Sequence, residues 1–430
     1  MRTPTFTAVG LCISAASLLA SPAIALQPLD VFLTAARDRN PDSKIASAEL
    51  DQQKADALTT LGHQLPGVSV SANYYRNQYQ TQIELGGPPM VVQPRDQWVG
   101  AATLRVPLID LASFQRIAAA RTNADSYARR LEATRLSVEG QTVQDYYQLL
   151  ANLALVGTAE QYLEVSRENL RLTETKLHAG AATRLDVDRA VADVEAQVQQ
   201  LASARLQVAL SARDLQSTTS VTPDISSTTE LADDLHPERE LSYFEAELPN
   251  VPSVTAAATA THAAQQQATA QKLALVPTIS GFFTENATNA PGFEPSHWFW
   301  QLGLTASWTF DLTYVGNIQS SDAAAAATLA TEEKTRLAAG DAIHRYWQTV
   351  LAGIAQSRSA RAGRDAAAHA SEQARVQYMA GSATQLDLLQ ARRDAFQAEV
   401  TRIQTDANLL NARAQLRLAA GRSLVESPPH

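Results

Sequence analysis

The residues best placed to act on something outside the chain are two aspartates in matching turns. Asp186 stands three positions after Thr183, and Asp387 three positions after Thr384. Threonine followed at that spacing by an acid is the pattern of a reciprocal helix N-cap, and a carboxylate there also suits the positive end of the helix dipole. Residue types that carry catalysis or bind metals are scattered instead. The eight histidines show no ligand spacing. No His-Glu-x-x-His pair, phosphate-cradling glycine loop or Gly-x-Ser-x-Gly elbow occurs. Isolated Ser, His and Asp therefore read as solvated helix faces, and no enzyme activity, metal or cofactor is expected.

The two turns belong to a long internal repeat. Ala179-Gly180-Ala181-Ala182-Thr183-Arg184-Leu185-Asp186 returns as Ala380-Gly381-Ser382-Ala383-Thr384-Gln385-Leu386-Asp387. Ala190 and Asp193 recur as Ala391 and Asp394, and Asp110-Leu111 as Asp311-Leu312. A period of about 200 residues means two copies of a large unit, since solenoid repeats run about 20–50 residues. Each glycine follows a helical stretch and precedes an N-cap threonine, which makes each turn the tip of a helical hairpin.

Four long helical stretches carry those tips. They run from about Ser113 to Ala179, Thr183 to Ser217, Val315 to Ala380 and Thr384 to Ala420. The second has an apolar seam of Val187, Val191, Val194, Val198, Leu201, Val208 and Leu215 at coiled-coil steps. The long arms would reach roughly 100 Å at 1.5 Å per residue. Shorter helices, about Leu29 to Leu61 (divided by Pro41) and Val254 to Leu275, are expected to stack on the short arms. The result is a wall of one long helix beside two stacked short ones, twice per chain.

Two strand pairs interrupt the helices. Pro66–Gln80 and Gln93–Leu108 form one, Thr278–Ala287 and Ser296–Phe310 the other. Each alternates apolar with polar residues, and Trp98, Trp298, Trp300 and Trp308 lie toward the ends, which is the pattern of outer-membrane strands with interfacial aromatics. The loops between them carry Gly86-Gly87-Pro88-Pro89 and Asn289-Ala290-Pro291-Gly292. Four strands cannot close a barrel, and open edges are not tolerated in lipid, so several chains must share one barrel. After the first 25 residues no apolar run is long enough for a transmembrane helix.

Composition fits this plan. Residues 1–25 read as a signal peptide with an Ala23-Ile24-Ala25 cleavage site, giving a mature start at Leu26. Cys12, the one cysteine, lies within it, and Leu11 stands where a lipoprotein signal wants a small residue. The net charge of −9 argues against nucleic acid. The domain plan is a signal peptide at 1–25, a first repeat at 26–220, an equatorial linker at 221–250, a second repeat at 251–421 and a tail at 422–430.

With these residues in view, the chain resembles the TolC-like outer-membrane efflux proteins over its whole mature length. The carriers are the two Gly-x-x-Thr-x-Leu-Asp turns, the strand ends Pro107-Leu108-Ile109-Asp110 and Thr309-Phe310-Asp311, and the helix–strand–strand–helix order. The resemblance implies a homotrimer, with four strands per chain in a 12-stranded barrel above a periplasmic helical tunnel. It implies an inner-membrane pump and a periplasmic adaptor as partners, and a passive duct as the function. It makes the turn with Arg184, Leu185 and Asp186 resemble the one that adaptor tips contact, and because Leu185 and Leu386 have no obvious core to enter, both tips (Gly180, Thr183, Arg184, Leu185, Gly381, Thr384 and Leu386) are expected to form the adaptor-docking surface. It sets Asp387 at the pore aperture, with Asp186 nearby. The family's second aperture acid is Gln390 here, which implies fewer ring charges. Two other readings remain open: a protein-secretion duct of the same family, and a periplasmic coiled-coil adaptor with one hairpin and no barrel.

Overall fold

The computed structural model describes residues 26–84, 86, 90–225, 231–292 and 294–425. The expected signal peptide with Cys12, the Gly87-Pro88-Pro89 part of the first loop and the end of the tail lie outside them. Helices α1 (Leu29–Arg39) and α2 (Pro41–Gly62) lead into β1 (Gly67–Arg76). A short hairpin, β2 (Thr81–Ile83) and β3 (Met90–Gln93), precedes β4 (Asp96–Ile109). Long α3 (Leu111–His178) and its return α4 (Arg184–Thr219) complete the first half. The second half repeats the order after α5 (Leu241–Glu245): α6 (Pro252–Leu273), β5 (Thr278–Thr288), β6 (Trp298–Ser307), α7 (Thr313–Ala380) and α8 (Gln385–Ala419). The helix break at Pro41 falls as expected, with the Asn40 side chain capping α2. Among the described residues no helix is long and apolar enough to cross a membrane.

The long strands form one antiparallel sheet in the order β1-β4-β5-β6. Its register separates two faces. Val68, Leu104, Phe283 and Leu302 pair in a row on one face. Ser69, Thr103, Thr284 and Gln301 form the next row, on the other face. There the Thr103 and Thr284 hydroxyls bond at 3.0 Å. The apolar face is bare: Val68 is 73% exposed and Leu302 72%. Only Glu285, opposite Ala102 and Trp300, interrupts the β5 part of it. On the polar face a Cβ at Gly303 would come within 2.6 Å of the Phe282 ring, so that position needs glycine.

The helices follow the order of the sheet. α3 packs on α2 and α6, and α6 on α7. Toward the tips α3 packs on α4 and α8, and α8 on α7. β1 follows α2, β4 precedes α3, β5 follows α6 and β6 precedes α7. Each strand thus prolongs its own helix, and one order runs through sheet and wall. β1, α2 and α4 stand at one edge of the chain, β6 and α7 at the other.

A strap, residues 231–250, packs across α7 and α8. Phe244 is buried in an apolar cluster with Ile343, Val350, Leu409 and Leu416. Arg413, only 5% exposed, pairs with Asp233 at 2.9 Å and Glu238 at 2.8 Å. Trp347 donates to the Arg239 carbonyl at 2.9 Å, and Arg422 pairs with Glu247 at 2.8 Å.

Three expectations change in detail. Trp308 lies one residue past β6, where its indole donates to the Leu275 carbonyl at 3.0 Å. The β2–β3 hairpin was not expected; it is only three and four residues long, too short for a clear alternation. Of the α4 seam, Val187, Leu201, Val208 and Leu215 are buried, whereas Val191 and Val198 are exposed. α4 stands at a free edge, so part of its apolar stripe has no neighbour within one chain.

Candidate functional site

The two tips are built alike, from backbone upward. α3 ends with Gly180 at φ 72° and α7 with Gly381 at φ 78°, the left-handed conformation that glycine adopts without penalty. Ala181 N–H bonds the Lys176 carbonyl at 2.7 Å, and Ser382 N–H bonds the Gln377 carbonyl at 2.9 Å. Two residues later the reciprocal caps close. Thr183 N–H donates to Asp186 Oδ2 at 2.9 Å, and Asp186 N–H donates to Thr183 Oγ1 at 3.2 Å. Thr384 and Asp387 repeat both bonds at the same lengths. The Thr183 and Thr384 hydroxyls donate to the same carboxylate oxygens at 2.7 Å.

These bonds stabilise the ionised acids. The threonine hydroxyl, then the threonine N–H, hold each carboxyl below its ordinary value of 3.8. Oδ1 of each aspartate accepts no hydrogen bond among the described residues. Gln390 reaches Asp394 at 3.4 Å, so α8 carries a further acid one turn beyond the amide. Leu185 and Leu386, each 55% exposed, stand beside the caps with no core to enter.

Within the chain, Arg184 and Asp186 do not join the hairpins: Asp186 closes its own cap, and Arg184 faces Asp188 at 3.4 Å. Other residues do. Lys176 of α3 donates to the Tyr378 carbonyl of α7 at 3.1 Å, and its ammonium lies 3.7 Å from the Tyr378 ring centre. Tyr162 of α3 and Phe396 of α8 meet edge to face at 5.0 Å. Burial pushes the Arg392 guanidinium of α8 down while Asp193 of α4 pulls it up. Asp193 is itself buried and accepts from Ser166 at 2.6 Å.

At the far end of the molecule, Trp98, Trp298 and Trp300 lie at one rim of the apolar sheet face. Trp308, stacked on Phe310 at 6.4 Å, lies toward the other. Trp298, Trp300 and Trp308 are each about two-thirds exposed. Side chains of this kind at both rims of a bare apolar band suit the two interfaces of a bilayer.

The strap holds the one cluster with metal-ligand character among the described residues. Ligand atoms of Asp233, Asp234 and His236 lie within 4.8 Å of one another. Arg413 already binds two of the three. It donates to Asp233, and to His236 Nε2 at 3.0 Å. Arginine can only donate, so Nε2 accepts and the imidazole proton sits on Nδ1, toward Asp234. A cation would have to displace a buried guanidinium, so this donor set does not fit a metal.

Comparisons with known proteins agree with this geometry. The fold is similar to CusC, with a TM-score of 0.81, 16% identity and 92% of each chain covered. It is similar to the CmeC outer membrane channel of Campylobacter jejuni (TM-score 0.77, 18% identity, 92% of this chain and 86% of that one). It is also similar to the outer membrane protein VceC of Vibrio cholerae (0.78, 17% identity, 92% and 96%). By sequence, 165 residues are 26% identical to the fusaric acid resistance protein FusA of Burkholderia cepacia; they span 38% of this chain and 31% of that relative's length. The model of the family described as outer membrane efflux protein matches residues 32–220 and 244–422. That match takes in both halves of the repeat, and the chain therefore belongs to the outer membrane efflux protein family, whose place is the outer membrane.

Proposed function

We propose that three copies of this chain close head to tail into a 12-stranded barrel above a helical tunnel. The assembly is the passive exit duct for cargo delivered by an inner-membrane pump through a periplasmic adaptor. One observation carries the reading: the same element order runs through sheet and wall, so β1, α2 and α4 form one continuous edge and β6 and α7 the other. Joining unlike edges generates a ring, and closing the ring removes every open strand edge from lipid. One chain's four strands fall short of the roughly eight of the smallest membrane barrels. Three chains is the number the TolC-like resemblance implies. The exposed Val191 and Val198 of α4 then meet the neighbouring chain. The duct itself does no chemistry; the pump supplies the energy, and the cargo follows from the pump.

In this assembly the tips point into the periplasm. Gly180, Thr183, Arg184, Leu185, Gly381, Thr384 and Leu386 make the surface for the adaptor. Asp387, Gln390 and Asp186 surround the aperture, and the four tryptophans anchor the barrel at its interfaces. Native mass spectrometry of protein extracted from outer membranes tests the assembly. Three chains per particle is the expected result. A stable monomer with a closed barrel would overturn the proposal.

A further inference from the structure

The wall at mid-height has a lining unlike the rest of the surface. Two neighbouring cavities, of about 440 and 280 Å³, lie beside the junction of α3 and α8, the larger reaching also α7 and the start of α6, and share Gln144 and Asn411. Of the 24 residues that line them, none is Asp, Glu, Lys, Arg or His. In a chain that is 18% charged, about four would be expected. The contrast is local, because a cavity on α7 is lined by Asp341, His344 and Arg345, and one beside α6 by Arg129 and Glu132.

Carboxamides take the place of charges. On α8, Gln397, Thr401, Gln404, Asn408, Asn411 and Gln415 recur at steps of four and three, which aligns them on one face about 27 Å long. On α3, Gln141, Gln144 and Gln148 are exposed beside them. This face is turned away from the strap. Arg413, which grips the strap, lies two residues from both Asn411 and Gln415, about 200° around the helix. The flanks of α8 are covered by α3 and α7. A strap cannot cross the bore of an open duct, so the amide face is the one that looks inward.

We infer that this band is a charge-indifferent transit site in the duct wall, suited to uncharged and zwitterionic polar solutes. A carboxamide offers both a donor and an acceptor, so it solvates either sign of partial charge without holding either. Pores select by valence through rings of charged side chains. The acids early in α8, Asp387 and Asp394, lie nearer the tip, and Asp145, which accepts from Gln141 at 2.8 Å, is turned toward α4, where Thr218 donates to it at 2.7 Å. The inference rests on the duct reading above and adds where along the duct charge is and is not read.

The test is thiol labelling in planar bilayers, with reagents added from the barrel side. Asn411→Cys and Gln404→Cys are compared with Glu240→Cys, an exposed strap position. Cys12 is the one natural cysteine. Cationic and anionic methanethiosulfonates are each scaled to their own labelling rate at Glu240→Cys, measured by mass spectrometry on the detergent-extracted protein. The expected result is loss of conductance at positions 411 and 404 with both reagents, at scaled rates within fivefold of each other. Labelling at Glu240→Cys should leave conductance unchanged. A conducting pore that is silent to both reagents at 411 and 404, or whose scaled rates differ by more than fivefold, overturns the inference and leaves the duct standing. An unsubstituted protein that forms no conducting pore overturns the duct reading itself.

Discussion

Lys176 and Tyr378 clasp the two helical hairpins together beside their tips, by a carbonyl hydrogen bond of 3.1 Å and an ammonium 3.7 Å from the ring centre. The contact joins α3 to α7 across 202 residues of sequence. A partly desolvated cation–π pair contributes about 1–2 kcal/mol and a hydrogen bond about 1 kcal/mol. In the proposed trimer, three such clasps would favour a closed end and would still be weak enough for a partner to release. Lys176→Met keeps the apolar stem and removes the charge. It should raise basal conductance in planar bilayers, whereas Lys176→Arg should stay closer to the unsubstituted protein. Equal closure in Lys176→Met would show that the clasp does not hold the end.

Asp387 offers a test of the aperture. Its carboxyl is held below 3.8 by the Thr384 hydroxyl and N–H. A depressed folded-state pKa means that the cap's stabilisation is complete above the unfolded value and is lost as pH falls through the lower folded value. The cap and the charge should therefore both persist at every pH above about 3.8 and fade only below it. Three such charges around one aperture would bind multivalent cations. Block by these cations should be constant from neutral pH down toward 4 and much weaker in Asp387→Asn. Undiminished block in that variant would leave Asp387 as a cap alone.

Leu185 and Leu386 each leave more than half of their surface in solvent at a tip whose backbone is already satisfied by the caps. Leu185→Ser and Leu386→Ser should leave trimer yield unchanged, because neither side chain enters a core. If the tips receive the adaptor, export falls in at least one of them. Unchanged export in both would move the docking surface elsewhere.

What the sequence revealed and what it hid follow from range. The tips were legible because glycine, threonine and aspartate act on backbone within a few residues of themselves. The strands were legible because Val68–Tyr74 and Trp298–Ala306 alternate at a period of two. Long-range pairs left no such mark. Lys176 with Tyr378, and Arg413 with Asp233, lie far apart in sequence and have no fixed spacing. The stripe on α8 was hidden differently, because a run of amides at helical steps reads as an ordinary solvated face until its position opposite the Arg413–Asp233 pair sets it apart. Val191 and Val198 fit the α4 seam by period, and their exposure comes from the free edge, which no single-chain pattern records.

The strap depends on Arg413. Its guanidinium pairs with Asp233 and Glu238, and all three side chains are at least nine-tenths buried. Removing one partner from a buried ion cluster strands the others, at a cost of about 3–5 kcal/mol. Arg413→Met should therefore free residues 231–240 and expose them to limited proteolysis. The α7–α8 pair should remain folded, since Ile343, Val350, Leu409 and Leu416 still pack together. Adding Asp233→Asn and Glu238→Gln to Arg413→Met should restore part of the protection, because the two uncompensated carboxylates are then gone. A strap as resistant in Arg413→Met as in the unsubstituted protein would mean that Phe244 and its apolar neighbours hold it without the ion cluster.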